Sequence, residues 1–69
     1  MKTYFKAGQD VEIYQRPLSN EEFEGVAQLV SCLRPYTEFF YEGLIVEEWM
    51  VRFGQEEESF LRIVTRRVP

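Results

Sequence analysis

The stretch from Glu47 to Phe53, EEWMVRF, constrains this chain more than any other. Trp49, Val51 and Phe53 fall on one side of a period-two alternation, with Met50 and Arg52 on the other. Side chains two residues apart share a face of a strand, so the pattern predicts a β-strand buried on one side. Aromatic and β-branched residues suit such a pleated surface. A second strand is predicted over Phe60 to Thr65 (FLRIVT), with the FGQEEES stretch turning the chain back into a hairpin. Trp49 opens the alternating face and reads as core rather than as a ligand-stacking residue. Glu47 and Glu48, just before it, are expected to be solvated charges at the strand end.

Sixty-nine residues make one small domain over 1–69, close to the lower limit for a self-sufficient core. An aromatic content of 16% helps, because each ring buries a large area. No apolar run approaches the roughly 20 residues that cross a bilayer. The N-terminus, MKTYFKAGQD, lacks the apolar segment of a signal peptide. The expectation is a cytoplasmic protein with no membrane association. Cys32 is the lone cysteine, set in an apolar run, and reads as a small inert hydrophobe.

Elsewhere, Asp10 to Arg16 (DVEIYQR) alternates and predicts a first strand, which Pro17 stops because proline cannot donate to a ladder. Ser19 to Leu33 supports two readings. Ser19 with Glu22 matches a capping box, and Phe23, Val26, Ala27, Val30 and Leu33 follow helical spacing. Gly25 opposes a helix, and the same apolar residues suit a buried strand. The preferred reading is a loop or helical turn over Ser19 to Glu24, then a strand from Gly25 to Leu33. Pro35 ends that element. An aromatic connection, Tyr36 to Gly43 (YTEFFYEG), leads to the central strand, and Arg66 to Pro69 forms a short tail that turns or frays.

These elements predict an all-β fold: a small SH3-like barrel or a strongly curled antiparallel sheet of four to five strands. The alternative is α+β with a helix at about 19–33. The layout resembles the SH3-like small β-barrels, with a Gly8-x-Asp10-Val11 entry, a Glu24-Gly25 opening to the second strand, and the Trp49 strand hairpinned to the last. It also resembles small bacterial and phage-type proteins that pair an EG-x-A-x-L strand (Glu24 to Leu29) with a W-x-V-x-F strand (Trp49 to Phe53). Neither resemblance brings catalytic residues with it.

The residue inventory points away from catalysis. Histidine is absent, which removes the side chain best suited to proton transfer near neutral pH. One cysteine without histidine makes no zinc site, and the four glycines stand singly rather than in a phosphate loop. No enzyme activity, cofactor or metal is expected. Glu56, Glu57 and Glu58 read as a solvated loop run.

Three binding readings stay open. Tyr36, Phe39, Phe40 and Tyr41 exceed what a single-layer barrel readily buries, so they are candidates for a protein-partner or self-association surface rimmed by Glu38 and Glu42. In an extended segment Phe39 and Tyr41 share a side and Phe40 takes the other. Arg52, Arg62, Arg66 and Arg67 are the candidates for nucleic-acid binding, with Arg52 and Arg62 expected on a shared face. The net charge of −4 weighs against that second reading. Residues 20–48, with one Arg and seven Glu, carry −6 and admit a third reading, an acidic mimic of nucleic acid.

Overall fold

A strand of fourteen residues cannot stay straight in so small a protein, and the second strand does not. The structure, a computed structural model, describes residues 3–36, 40–41 and 43–67, with 40–41 described through their backbone. It contains β1 (Asp10–Arg16), β2 (Glu21–Arg34), β3 (Phe40–Tyr41), β4 (Leu44–Phe53) and β5 (Phe60–Arg67). All pairings are antiparallel, and no helix occurs among the described residues. The fold is all-β.

β4 is the central strand. β5 pairs along one edge from Leu44 to Val51, and β2 pairs along the other from Glu48 to Phe53. The two-residue β3 continues on the β2 side, opposite Leu44 and Ile45. β1 then pairs with the first part of β2. The sheet is therefore four lanes wide, with β2 and β3 sharing one lane across the Pro35 turn.

Three irregularities bend β2. Ile13 faces Gly25 while Tyr14 faces Phe23, so Glu24 is an extra residue. Gly25 has φ +152°, a region that L side chains avoid, and this is where the strand turns. Val30 and Leu33 are extra residues in the pairing with β4. Bulges increase local twist and bend the bulged strand, so the sheet curls until β1 approaches β5. It does not close: Thr65 Oγ1 donates to the Pro17 carbonyl at 3.1 Å, with no ladder between those two strands. Of the two all-β expectations, the curled open sheet describes the molecule.

The helical alternative at 19–33 is corrected, and the bulges explain why it was attractive. Each inserted residue shifts the alternation by one, so Phe23, Val26, Val30 and Leu33 acquire helix-like spacing while lying on a strand. All four are exposed, whereas Ala27 and Leu29 between them are buried. The proposed cap is a hairpin turn instead. Ser19 N–H donates to Arg16 O at 3.3 Å, and Asn20 takes a positive φ of 55°, which asparagine tolerates. β2 consequently begins at Glu21 rather than Gly25. β5 likewise runs on through Arg67, so Arg66 and Arg67 belong to a strand and not to a frayed tail.

The concave face carries the core: Phe5, Ile13, Ala27, Leu29, Ile45, Trp49, Val51 and Val64, flanked by Val11, Cys32, Tyr36 and Phe53. Trp49 and Val51 occupy the core as the alternation predicts.

Candidate binding surface at the open seam

Glu47 is the first departure from the expected pattern. Parity places it on the Trp49 face, and it is fully buried rather than solvated. Its carboxylate accepts four N–H groups. Oε2 takes Tyr4 N–H at 2.6 Å and Tyr36 N–H at 3.2 Å; Oε1 takes the Trp49 indole N–H at 2.7 Å and Phe5 N–H at 3.3 Å. One side chain thus anchors the N-terminal segment, the turn after β2, and the core tryptophan. The alternation already carried this information, since residues 47, 49 and 51 share a face. Glu48, one residue on, is half-exposed on the other face, with Oε2 4.0 Å from Arg34 Nε.

Tyr36 is therefore not a free surface aromatic. It is half-buried against the core and its backbone is tied to Glu47. Phe40 and Tyr41 form β3, and Phe39, Glu38 and Glu42 lie outside the described residues, as does the side-chain arrangement proposed for that segment.

The arginines are not gathered on one face. Trp49 faces Arg62 across the β4–β5 ladder, which puts Arg62 on the concave side, while Arg52 lies on the convex side beside Gln28. The expectation that Arg52 and Arg62 share a face is corrected. Arg52 Nη2 donates to Gln28 Oε1 at 3.2 Å. Arg66, opposite Ile45, stands 5.8 Å from the Tyr4 ring centroid, and Arg67, opposite Leu44, takes the other face.

Arg62 does something specific. It donates from Nε and Nη2 to both oxygens of Glu24, at 2.8 and 2.6 Å, and lies over the Phe53 and Phe60 rings at 5.7 and 5.6 Å. The paired fork geometry is the strong form of this contact. Hydrogen bonding from Arg62 holds the Glu24 carboxyl below its ordinary range, against the opposing effect of burial. This pair ties β2 to β5 across the inside of the curl.

Outside that tie runs a groove of about 430 Å³. Tyr14, Gln15 and Pro17 form one wall and Leu61 and Ile63 the other, with Glu24, Arg62 and Glu48 supplying the polar atoms. Phe23 stands beside Tyr14, ring centroids 5.5 Å apart, and is 58% exposed; Leu61 is 51% exposed. β1 pairs only with β2 and β5 only with β4, so among the described residues each has one edge without a strand partner. Nothing in the sequence joins Tyr14 to Leu61, because their proximity comes from the curl.

The remaining chemistry is sparse. Burial, then the Glu47 charge, pushes the Cys32 thiol upward, which makes its reactive thiolate scarcer. Among the described residues no three carboxylate or thiol groups converge to hold a metal ion, and no helix is long and apolar enough to cross a membrane. Against known proteins, the chain matches no family model, no curated protein and no solved structure.

Proposed function

We propose that this chain is a non-catalytic interaction domain that receives a protein partner at the open seam between β1 and β5. One observation carries the reading: two unpartnered strand edges flank a groove lined by the exposed apolar side chains Leu61 and Ile63, with exposed Phe23 standing against its Tyr14 wall. Elsewhere the molecule is well satisfied, with no buried side-chain polar atom lacking a partner among the described residues. Exposed apolar clusters with polar rims are characteristic of partner surfaces, and the Glu24–Arg62 pair supplies such a rim. The aromatic surface expected at Tyr36 to Tyr41 is replaced in this reading by Tyr14 and Phe23. A cytoplasmic setting belongs to the same proposal and suits a lone half-buried thiol.

A photo-crosslinking amino acid placed at Leu61, with a control at Arg52 on the convex face, tests the reading in cells. A defined polypeptide adduct at position 61, weak at position 52, lost with Phe23→Ser and indifferent to nuclease, supports it. Equal labelling at both positions, or adducts that vanish with nuclease, overturns it and favours nucleic-acid association through the exposed arginines.

A further inference from the structure

The character of the groove says what kind of partner fits it. Building on the interaction reading above, we infer that the seam takes an extended polypeptide segment, which joins the sheet as an added strand on the free edge of β5 and carries a lysine or arginine toward Glu48.

A strand edge presents a row of backbone N–H and C=O groups, and another strand is the ligand that satisfies such a row. β5 keeps one edge free of any strand among the described residues, and that edge borders the groove at Leu61, Arg62 and Ile63. The seam is pinched at one end, where Thr65 Oγ1 reaches the Pro17 carbonyl. Pro17 has no N–H to offer, so β1 does not extend its own edge there. The open part of β5 is thus Phe60 to Val64, room for about five residues at roughly 3.3 Å each. Alternate side chains of an incoming strand then meet Leu61 and Ile63 on the outer face.

Charge selects among extended segments. Of the three charged groups in the groove, Glu24 and Arg62 neutralise each other through two short hydrogen bonds. Glu48 pairs at 4.0 Å with Arg34, which does not line the groove, so the lining itself carries two carboxylates against one guanidinium. A cation on the incoming strand complements it; an aspartate or glutamate does not. Charge also argues against a second copy entering through its own β5. That pairing brings two strands bearing Arg62, Arg66 and Arg67 together, and like charges across a ladder are destabilising.

The test uses the intact protein and a blocked heptapeptide of alternating valine and threonine with a central lysine. Its comparators are the same peptide with central glutamate and one with N-methylated alternate amides. Amide shifts in a ¹H–¹⁵N spectrum locate binding. The inference expects the lysine peptide to shift Phe60 to Val64, the glutamate peptide to bind about tenfold more weakly, and N-methylation to abolish binding. It expects Glu48→Gln to erase the difference between lysine and glutamate. Undiminished binding of the N-methylated peptide overturns strand addition, as does its mapping to Val26 and Leu33 on the convex face. Concentration-dependent shifts of β1 and β5 without peptide identify a second copy as the occupant and also overturn it. No peptide binding, alongside a specific crosslink at Leu61, overturns strand addition while the interaction reading stands; loss of both removes the two together.

Discussion

The indole N–H of Trp49 donates at 2.7 Å to Oε1 of Glu47, two residues earlier on the same strand face, and both side chains are sealed from solvent. This contact joins the two uses of that face: Trp49 fills the core, and Glu47 collects the backbone donors that flank it. A buried carboxylate is costly unless its oxygens are well occupied, and here each oxygen accepts two N–H groups.

Glu47→Gln therefore tests the anchor. The amide retains one acceptor oxygen and turns an NH₂ toward donors that need an acceptor. The variant is expected to lose about 2–4 kcal/mol of stability in urea denaturation, with a changed Trp49 emission in the native state. A loss within the error of wild type contradicts the assigned network.

Gly25→Ala tests the bend in β2. An added Cβ meets Phe53 Cδ1 at 3.5 Å, an ordinary contact, so space is not the obstacle. The positive φ is, and the expected cost is about 1–3 kcal/mol. Thermal unfolding measures it, and a neutral or stabilising result removes the backbone argument.

The Glu24–Arg62 pair makes stability depend on pH in a defined direction. Glu24 has a folded pKa below its ordinary value. Its contribution is present above the ordinary carboxylate range and is lost as pH falls through the lower folded value. Glu24→Gln should cost about 1 kcal/mol near neutral pH and shrink toward zero in acid. Urea midpoints taken across the acid range check this. A deficit that grows on acidification carries the wrong sign for the pair.

How far the sequence foretold this structure varies by element. The β4 alternation predicted Trp49 and Val51 as core, because parity on a strand is a local rule. The same rule placed Glu47 inside, yet its charge suggested solvent; only the positions of Tyr4, Phe5 and Tyr36 explain why burial is tolerated. β2 was ambiguous for a physical reason, since bulges at Glu24, Val30 and Leu33 break the period that identifies a strand. The seam was not legible at all. It joins Tyr14 to Leu61 through the accumulated bend of an entire sheet.

Leu61→Ser separates surface from scaffold. Leu61 is half-exposed and lies outside the core cluster, so stability should change by no more than about 0.5 kcal/mol, while binding of the lysine peptide falls. Leu29→Ala, at a buried position, should instead cost about 2–5 kcal/mol. Calorimetry and peptide titration on both variants distinguish the two roles.

Native-state amide hydrogen exchange reads the open seam most directly. Along β5 between Phe60 and Val64, amides bonded to β4 should be protected, while alternate amides facing the seam exchange quickly. β1 should show the same alternation on its outer edge. Uniform protection along both strands, with cross-strand contacts between them, would mean that the sheet is closed and that no free edge exists for a partner.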